Sequence, residues 1–252
     1  MPDLILPVPQ EYRRGGKKKR EQESVASGLS LIELMCKKLD IVDLSGMALL
    51  DMGCGNKFVQ AILDRGVPIG RYVGIDIHPG LIDFLQSNVS DERFTFYTSN
   101  THNDMYNPEG EPLSEATRLP VEEKSFDLIC LFSVFTHLAP NDYVLMLKLL
   151  RHYIKPGGRI IFSLFVNETT KGGHGFVDIM SSHFAETLTK EQLEAGLRGP
   201  KDFVDWYPAK PLWRAVYSRD NAIRLVDGTG WEIESLNDPE QEVQHYMVCK
   251  PV

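Results

Sequence analysis

Along the chain, short apolar runs alternate with stretches whose apolar residues recur at helical spacing. That pattern predicts a parallel sheet covered by helices on both faces. Met47 to Met52 (MALLDM) reads as a first strand running into the turn Gly53-Cys54-Gly55, and a helix from Lys57 to Asp64 follows. Arg71 to Ile77 (RYVGIDI) is a second strand, and Pro79-Gly80 opens a helix in which Leu81, Ile82, Phe84 and Leu85 recur at helical spacing. Phe94 and Phe96 alternate with polar neighbours in a third strand, Arg93 to Thr98. Phe126 to Ser133 (FDLICLFS) is an unbroken apolar run of the kind buried on both faces. Asn141 to Ile154 repeats as an amphipathic helix, which Pro156-Gly157-Gly158 stops before a fifth strand, Arg159 to Val166. A short helix near Asp220 to Val226, a turn from Asp227 to Gly230, and two strands, Trp231 to Leu236 and Gln244 to Lys250, close the chain.

Two stretches break this rhythm. From Ser99 to Ser125 periodicity is lost and Asn, Asp, Pro and Gly gather, as in a functional loop. Between the fifth strand and the final pair, residues 167 to 217 give no sheet signal but hold Phe176, Phe184, Phe203, Trp206, Tyr207 and Trp213. An insertion there would fold over the carboxyl ends of the strands, its aromatics forming a small core of their own or stacking on a bound ring. The whole chain reads as one domain, with an N-terminal arm and helix in residues 1 to 40. The helix, Val25 to Leu39, is expected to pack against the sheet.

Composition narrows the partners. With 42% hydrophobic and 25% charged residues the chain reads as an ordinary soluble globular protein. A net charge of -8 argues against a general nucleic-acid surface. The one basic block, Arg13, Arg14, Lys17, Lys18, Lys19 and Arg20, reads as a solvated arm or as part of a lid. No apolar run approaches the roughly 18 residues of a membrane helix. The N-terminal apolar residues precede the charges and are broken by prolines, the reverse of a secretory signal, so a cytoplasmic location is expected. Cys36, Cys54, Cys130 and Cys249 form no C-x-x-C pair, so neither a disulfide framework nor a zinc site follows.

The candidate chemistry begins at ALLDMGCGNKF. Gly-x-Gly at a strand end lets backbone approach a ligand closely, and Asp76, at the end of the next strand, is placed to accept hydrogen bonds from ribose hydroxyls. A dinucleotide would set its pyrophosphate beside Asp51 and usually needs a third glycine, where this chain has Asn56-Lys57-Phe58. A ligand with an ammonium and a sulfonium near Asp51 suits the charge better.

In LLDMGCG (49 to 55), YVGIDIHPGLI (72 to 82), SFDLICLFSVFTHL (125 to 138) and KPGGRIIFS (155 to 163) the sequence resembles the class I S-adenosylmethionine-dependent methyltransferases. The resemblance covers about residues 30 to 166 and 218 to 250. It implies a three-layer, seven-stranded, mostly parallel sheet with an antiparallel last strand, and S-adenosylmethionine as methyl donor. By position, Asp51, Gly53 and Gly55 would line the methionine moiety, Asp76 the ribose and Asn100 the adenine edge, with Phe132 beside them at the end of the fourth strand. Lys57 stands where many members keep a small residue or glycine.

Methyl transfer needs nucleophile, methyl and sulfur in line, so positioning and desolvation carry much of the catalysis. A hydroxyl acceptor would gain from a base, for which His137 is placed, either as base or as helix-start packing. Asp104 and Glu168 are further candidates for catalysis. His102, Tyr106, Trp206, Tyr207 and Tyr12 are candidates for holding the acceptor, Tyr12 as part of a lid. Oxygen ligands on the two loops carrying Asp104 and Glu168 would suit Mg²⁺, with solvated Asx-turn loops as the competing reading. The sequence therefore points to O-methylation of a small polar or saccharide-like hydroxyl compound. N- or S-methylation, and a donor-binding module without catalysis, remain as alternatives.

Overall fold

The sheet is held by sorting alternate strand residues into two apolar layers. The computed structural model describes residues 5–13, 21–103, 106–179, 201–206, 210–240 and 243–252. In β1 (Leu44–Met52), Ala48, Leu50 and Met52 enter one layer while Leu44 and Leu49 enter the other. In β4 (Phe126–Leu131), Ile129 and Leu131 join the first layer and Leu128 and Cys130 the second. In β5 (Ile154–Val166), Ile160, Phe162, Leu164 and Val166 face the first layer and Ile161 the second. The period of two along each strand is what lets both faces of the sheet bury side chains.

Helix α4 (Pro140–Arg151) covers the first face through Tyr143, Met146, Leu147 and Leu150. The short helix α5 (Arg219–Arg224) adds Ala222 there. Three helices cover the second face: α1 (Glu21–Leu39), α2 (Lys57–Arg65) and α3 (Pro79–Asn88). Leu6 and Val8 of the N-terminal segment are buried in that second layer, where the Gln60 amide donates to the Leu6 carbonyl at 2.9 Å. Residues 5 to 13 thus pack against the helical layer.

With β2 (Ile69–Asp76), β3 (Phe94–Thr98), β8 (Trp231–Asn237) and β9 (His245–Pro251), the main run of strands is β3-β2-β1-β4-β5-β9-β8. All pairs from β3 to β5 are parallel, and β9 is antiparallel to both of its neighbours. The chain winds outward from β1 in one direction and from β4 in the other. The crevice between these two carboxyl ends is the switch point where open α/β sheets bind ligands.

Two features differ from the sequence expectation. Ile154 is the first residue of β5 and pairs with Phe126, so α4 ends at Arg151 and Pro156-Gly157-Gly158 lies inside the strand at a register shift. Proline disfavours helical backbone in the residue before it, which ends the helix early. A Cβ at Gly158 would come 2.8 Å from the Asp127 carbonyl, so only glycine fits the close approach of β4. The second feature is a hairpin inside the segment read as strandless, β6 (Phe203–Asp205) with β7 (Ala215–Tyr217). Strand β9 leaves β5 at Leu164, and β7 takes over alongside Phe165 and Val166.

Candidate active site

The turn after β1 is built by the next strand. Gly53 and Cys54 both donate their N–H to the Ile75 carbonyl, at 2.7 and 3.1 Å. Gly53 has φ +76, and a Cβ there would lie 2.4 Å from Cγ2 of Val134, so no other residue fits. The Gly55 N–H reaches Oδ2 of Asp76 at 2.9 Å, while the other Asp76 oxygen accepts from the His78 N–H at 3.0 Å. Asp76 thereby ties the first two loops together. Asp76 also lines the cavity, where a carboxylate can serve as hydrogen-bond acceptor.

Asp51 is buried on the second face, where the Tyr72 hydroxyl donates to Oδ2 at 2.7 Å. Burial pushes its carboxyl up to about 7, against hydrogen bonds from Tyr72 and Cys130 that lower it, and the nearby Asp76 charge raises it further. A buried carboxyl of this kind favours a cationic neighbour.

These groups open into a cavity of about 330 Å³ lined by Asp51, Gly53, Gly55, Asp76 and Phe132 on one side and by His102, Tyr106 and His137 on another. Leu31 of α1, Lys57, Thr101 and Asn103 also line the wall. Ser133, also in the wall, has φ +60, with its N–H donating to Ser163 Oγ at 2.8 Å and its hydroxyl bonded to the Gln244 side chain. No sequence pattern marks that backbone outlier.

His137 ends a 3-10 turn, Phe135–His137, directly after the β4 loop. Its Nδ1 lies 3.1 Å from the Leu212 carbonyl, which can only accept, so Nδ1 carries the proton and the neutral ring keeps its lone pair on Nε2. Burial lowers the His137 pKa below its ordinary 6.5, opposed by the Leu212 backbone, and the Arg214 charge lowers it further. The ring is neutral at pH 7. Tyr106 meets it edge-on, with centroids 5.8 Å apart.

The loop after β3 is more ordered than its composition suggests. His102 N–H donates to Glu111 at 2.7 Å, the Glu111 N–H to Asn100 at 2.7 Å, and Leu113 and Leu119 are buried. These ties bring His102 and Tyr106 to the cavity. Asn100, expected at the adenine edge, is instead exposed and outside the lining, where Thr101 stands in its place.

Other candidates are placed elsewhere. Tyr12 packs on His78 and Phe84, with centroids 5.7 and 5.8 Å away, beside the cavity and outside its lining. Trp206 packs edge-on to Phe176 in a small cluster with Phe165 and Val216, the separate core that such aromatics form by default. Asp104 and Tyr207 lie outside the described residues, as do Arg14, Lys17, Lys18, Lys19, Arg20 and Phe184.

Glu168 does not face the His102 loop across the cavity. Arg219 holds its carboxylate at 2.6 Å and bridges to Asp238 at 2.5 Å, and Nε2 of the buried His245 lies 2.9 Å from Glu168. Glu168, Asp238 and His245 are the group of three potential metal ligands among the described residues. The Arg219 guanidinium already supplies the positive charge that these carboxylates need, so the arrangement does not fit the Mg²⁺ site expected between the two loops.

Comparison with known proteins follows the same lines. Residues 50–162 match the family model of a methyltransferase domain. A tRNA(Thr) (cytosine(32)-N(3))-methyltransferase of Saccharomyces cerevisiae is 30% identical over 125 residues, 48% of this chain and 18% of that protein. A malonyl-[acyl-carrier protein] O-methyltransferase of Priestia megaterium is 25% identical over 128 residues, 51% of this chain and 40% of that protein. The chain thus spans less than half the length of these curated relatives. Among solved structures, a putative S-adenosylmethionine-dependent methyltransferase from Listeria monocytogenes aligns with TM-score 0.55 at 14% identity, covering 90% of this chain and 99% of that one. Sequence motifs, switch-point cavity and family match fall on the same segment: residues 50–162 are similar to a methyltransferase domain, and the mostly parallel α/β fold built around them is the one seen in the Listeria monocytogenes structure.

Proposed function

We propose that this chain transfers a methyl group from S-adenosylmethionine to a hydroxyl oxygen of a small polar or saccharide-like acceptor. The cavity suits that donor in chemistry as well as in position. Buried Asp51 offers a carboxyl to the cationic methionine end, Gly53 leaves the space a side chain would fill, and Asp76 offers a carboxylate at the cavity wall to ribose hydroxyls. The adenine would then rest near Ile77 and Thr101.

Bound in the cavity, the donor would supply an electrophilic methyl carbon with a neutral thioether as leaving group, and Nε2 of His137 would take the proton released from the acceptor hydroxyl. A neutral imidazole is suited to take that proton. Tyr106 and His102 supply an aromatic face and a polar edge for the acceptor at the same wall. A polyanionic acceptor such as a nucleic acid is disfavoured by the net charge of -8.

The observation that carries the hydroxyl reading is His137 with its Nδ1 proton committed to the Leu212 carbonyl, in the same cavity as Asp51 and Asp76. His137→Ala is expected to slow turnover by about 100-fold or more, the range a general base supplies, with donor affinity nearly unchanged. Turnover at the wild-type rate would reduce His137 to packing and favour an acceptor that needs no base, as in N- or S-methylation.

A further inference from the structure

The His137 ring interacts with the backbone of both Leu212 and Trp213, and the carbonyl that faces Nδ1 belongs to a residue in an unusual conformation. Leu212 has φ +53, in the left-handed region that leucine rarely adopts. The φ and ψ of Leu212 set the direction of its carbonyl relative to its own N–H. Its N–H donates to Oδ2 of Asp205 at 3.0 Å, and its carbonyl accepts from Nδ1 of His137 at 3.1 Å. Asp205 therefore grips one side of the strained residue and His137 the other. The second Asp205 oxygen is buried and has no hydrogen-bond partner among the described residues, so the carboxylate is not there to satisfy a surface ion pair.

The hairpin does not need Asp205 for closure. Strands β6 and β7 pair through Phe203↔Tyr217, Val204↔Val216 and Asp205↔Ala215. The Trp206 N–H adds a bond to the Arg214 carbonyl at 3.0 Å, and the Trp213 N–H one to Lys210 at 3.0 Å. The Tyr217 hydroxyl also anchors the hairpin, donating to the Leu138 carbonyl next to His137. What remains for the Asp205 carboxylate is the local backbone at Leu212. Strained backbone of this kind persists only where its surroundings hold it, and it clusters at functional sites.

We propose that Asp205 is a positioning residue for His137: by accepting the Leu212 N–H it holds Leu212 left-handed, so that the Leu212 carbonyl fixes the Nδ1–H tautomer and leaves the Nε2 lone pair for the acceptor. The hairpin of the 167 to 217 segment thus acts on the reaction through the orientation of one imidazole, without itself touching substrate. This rests on the reading of His137 as the base, but its first readout does not.

The test is nitrogen NMR of the full chain with labelled histidine, the His137 signals being assigned by their loss in His137→Gln. Wild type is expected to show Nδ1 protonated and Nε2 not. Asp205→Leu, which keeps the branched shape in a bulkier side chain that accepts no hydrogen bond, should shift the ring toward the Nε2–H form and lower kcat roughly tenfold, part of what a base contributes, with donor affinity unchanged. Asp205→Asn, whose amide oxygen still accepts, should keep both the tautomer and kcat. If Asp205→Leu fails to bind donor, Asp205→Ala carries the same comparison. An unchanged tautomer in a variant that still binds donor overturns the proposal, as does Asp205→Asn behaving like Asp205→Leu. Full turnover in His137→Gln, with the tautomer still following Asp205, would remove the base reading and leave the positioning intact.

Discussion

Asp51 has lost the water that keeps a carboxylate ionised, and its carboxyl rises to about 7 from an ordinary 3.8. The folded chain then holds a proton that the unfolded chain releases. Its contribution to stability is fully present below about pH 4 and is lost as pH rises through about 7. Denaturant unfolding without ligand should therefore show this contribution fading from about pH 4 to about pH 7, and Asp51→Asn should flatten that slope. A cationic donor beside Asp51 favours the ionised form, so donor affinity should increase between pH 6 and 8 with release of a proton. Calorimetry in two buffers of different ionisation enthalpy measures that release, and none at pH 6.5 would place the donor's charge elsewhere. At Asp76 the expectation is simpler. Asp76→Ala removes the proposed ribose acceptor and the tie to the Gly55 N–H at 2.9 Å, and should weaken donor binding by about tenfold or more. Unchanged affinity would detach the ribose from this carboxylate.

At the scale of elements, the turn between β1 and α2 is the part most sensitive to one added methyl. Gly53→Ala forces φ +76 on an alanine and drives its Cβ to 2.4 Å from Val134. A loss of about 2 kcal/mol in unfolding free energy is expected, with donor affinity falling as the turn shifts. Wild-type stability and binding in this variant would mean that the turn relaxes freely. This turn was legible in the sequence because glycine identity and strand alternation are local signals. The helix and strand spacing likewise located the parallel strands and the two helical layers, whereas the antiparallel end followed only from the family resemblance.

The β6–β7 hairpin was not legible, because two three-residue strands are too short to show a period. The place of Glu168 was hidden for another reason. Its partners Arg219, Asp238 and His245 come from three later segments, and only the folded sheet brings them together. Asn100 and Thr101 are adjacent in sequence, and which of them faces the cavity is set by the Asn100–Glu111 bond that no motif records. Asp205 gave no signal at all, since its effect on His137 passes through the backbone of Leu212.

At the scale of the whole molecule, the reversal of winding between β1 and β4 places the cavity, and everything proposed about donor and acceptor depends on that crevice. Among the described residues no helix is long and apolar enough to cross a membrane. The measurement that tests this account most directly is calorimetric titration of the intact protein with S-adenosylmethionine, S-adenosylhomocysteine and NAD⁺. Micromolar binding of the first two and none of NAD⁺ is the predicted result. Binding of NAD⁺ alone, or of none of the three, would contradict it.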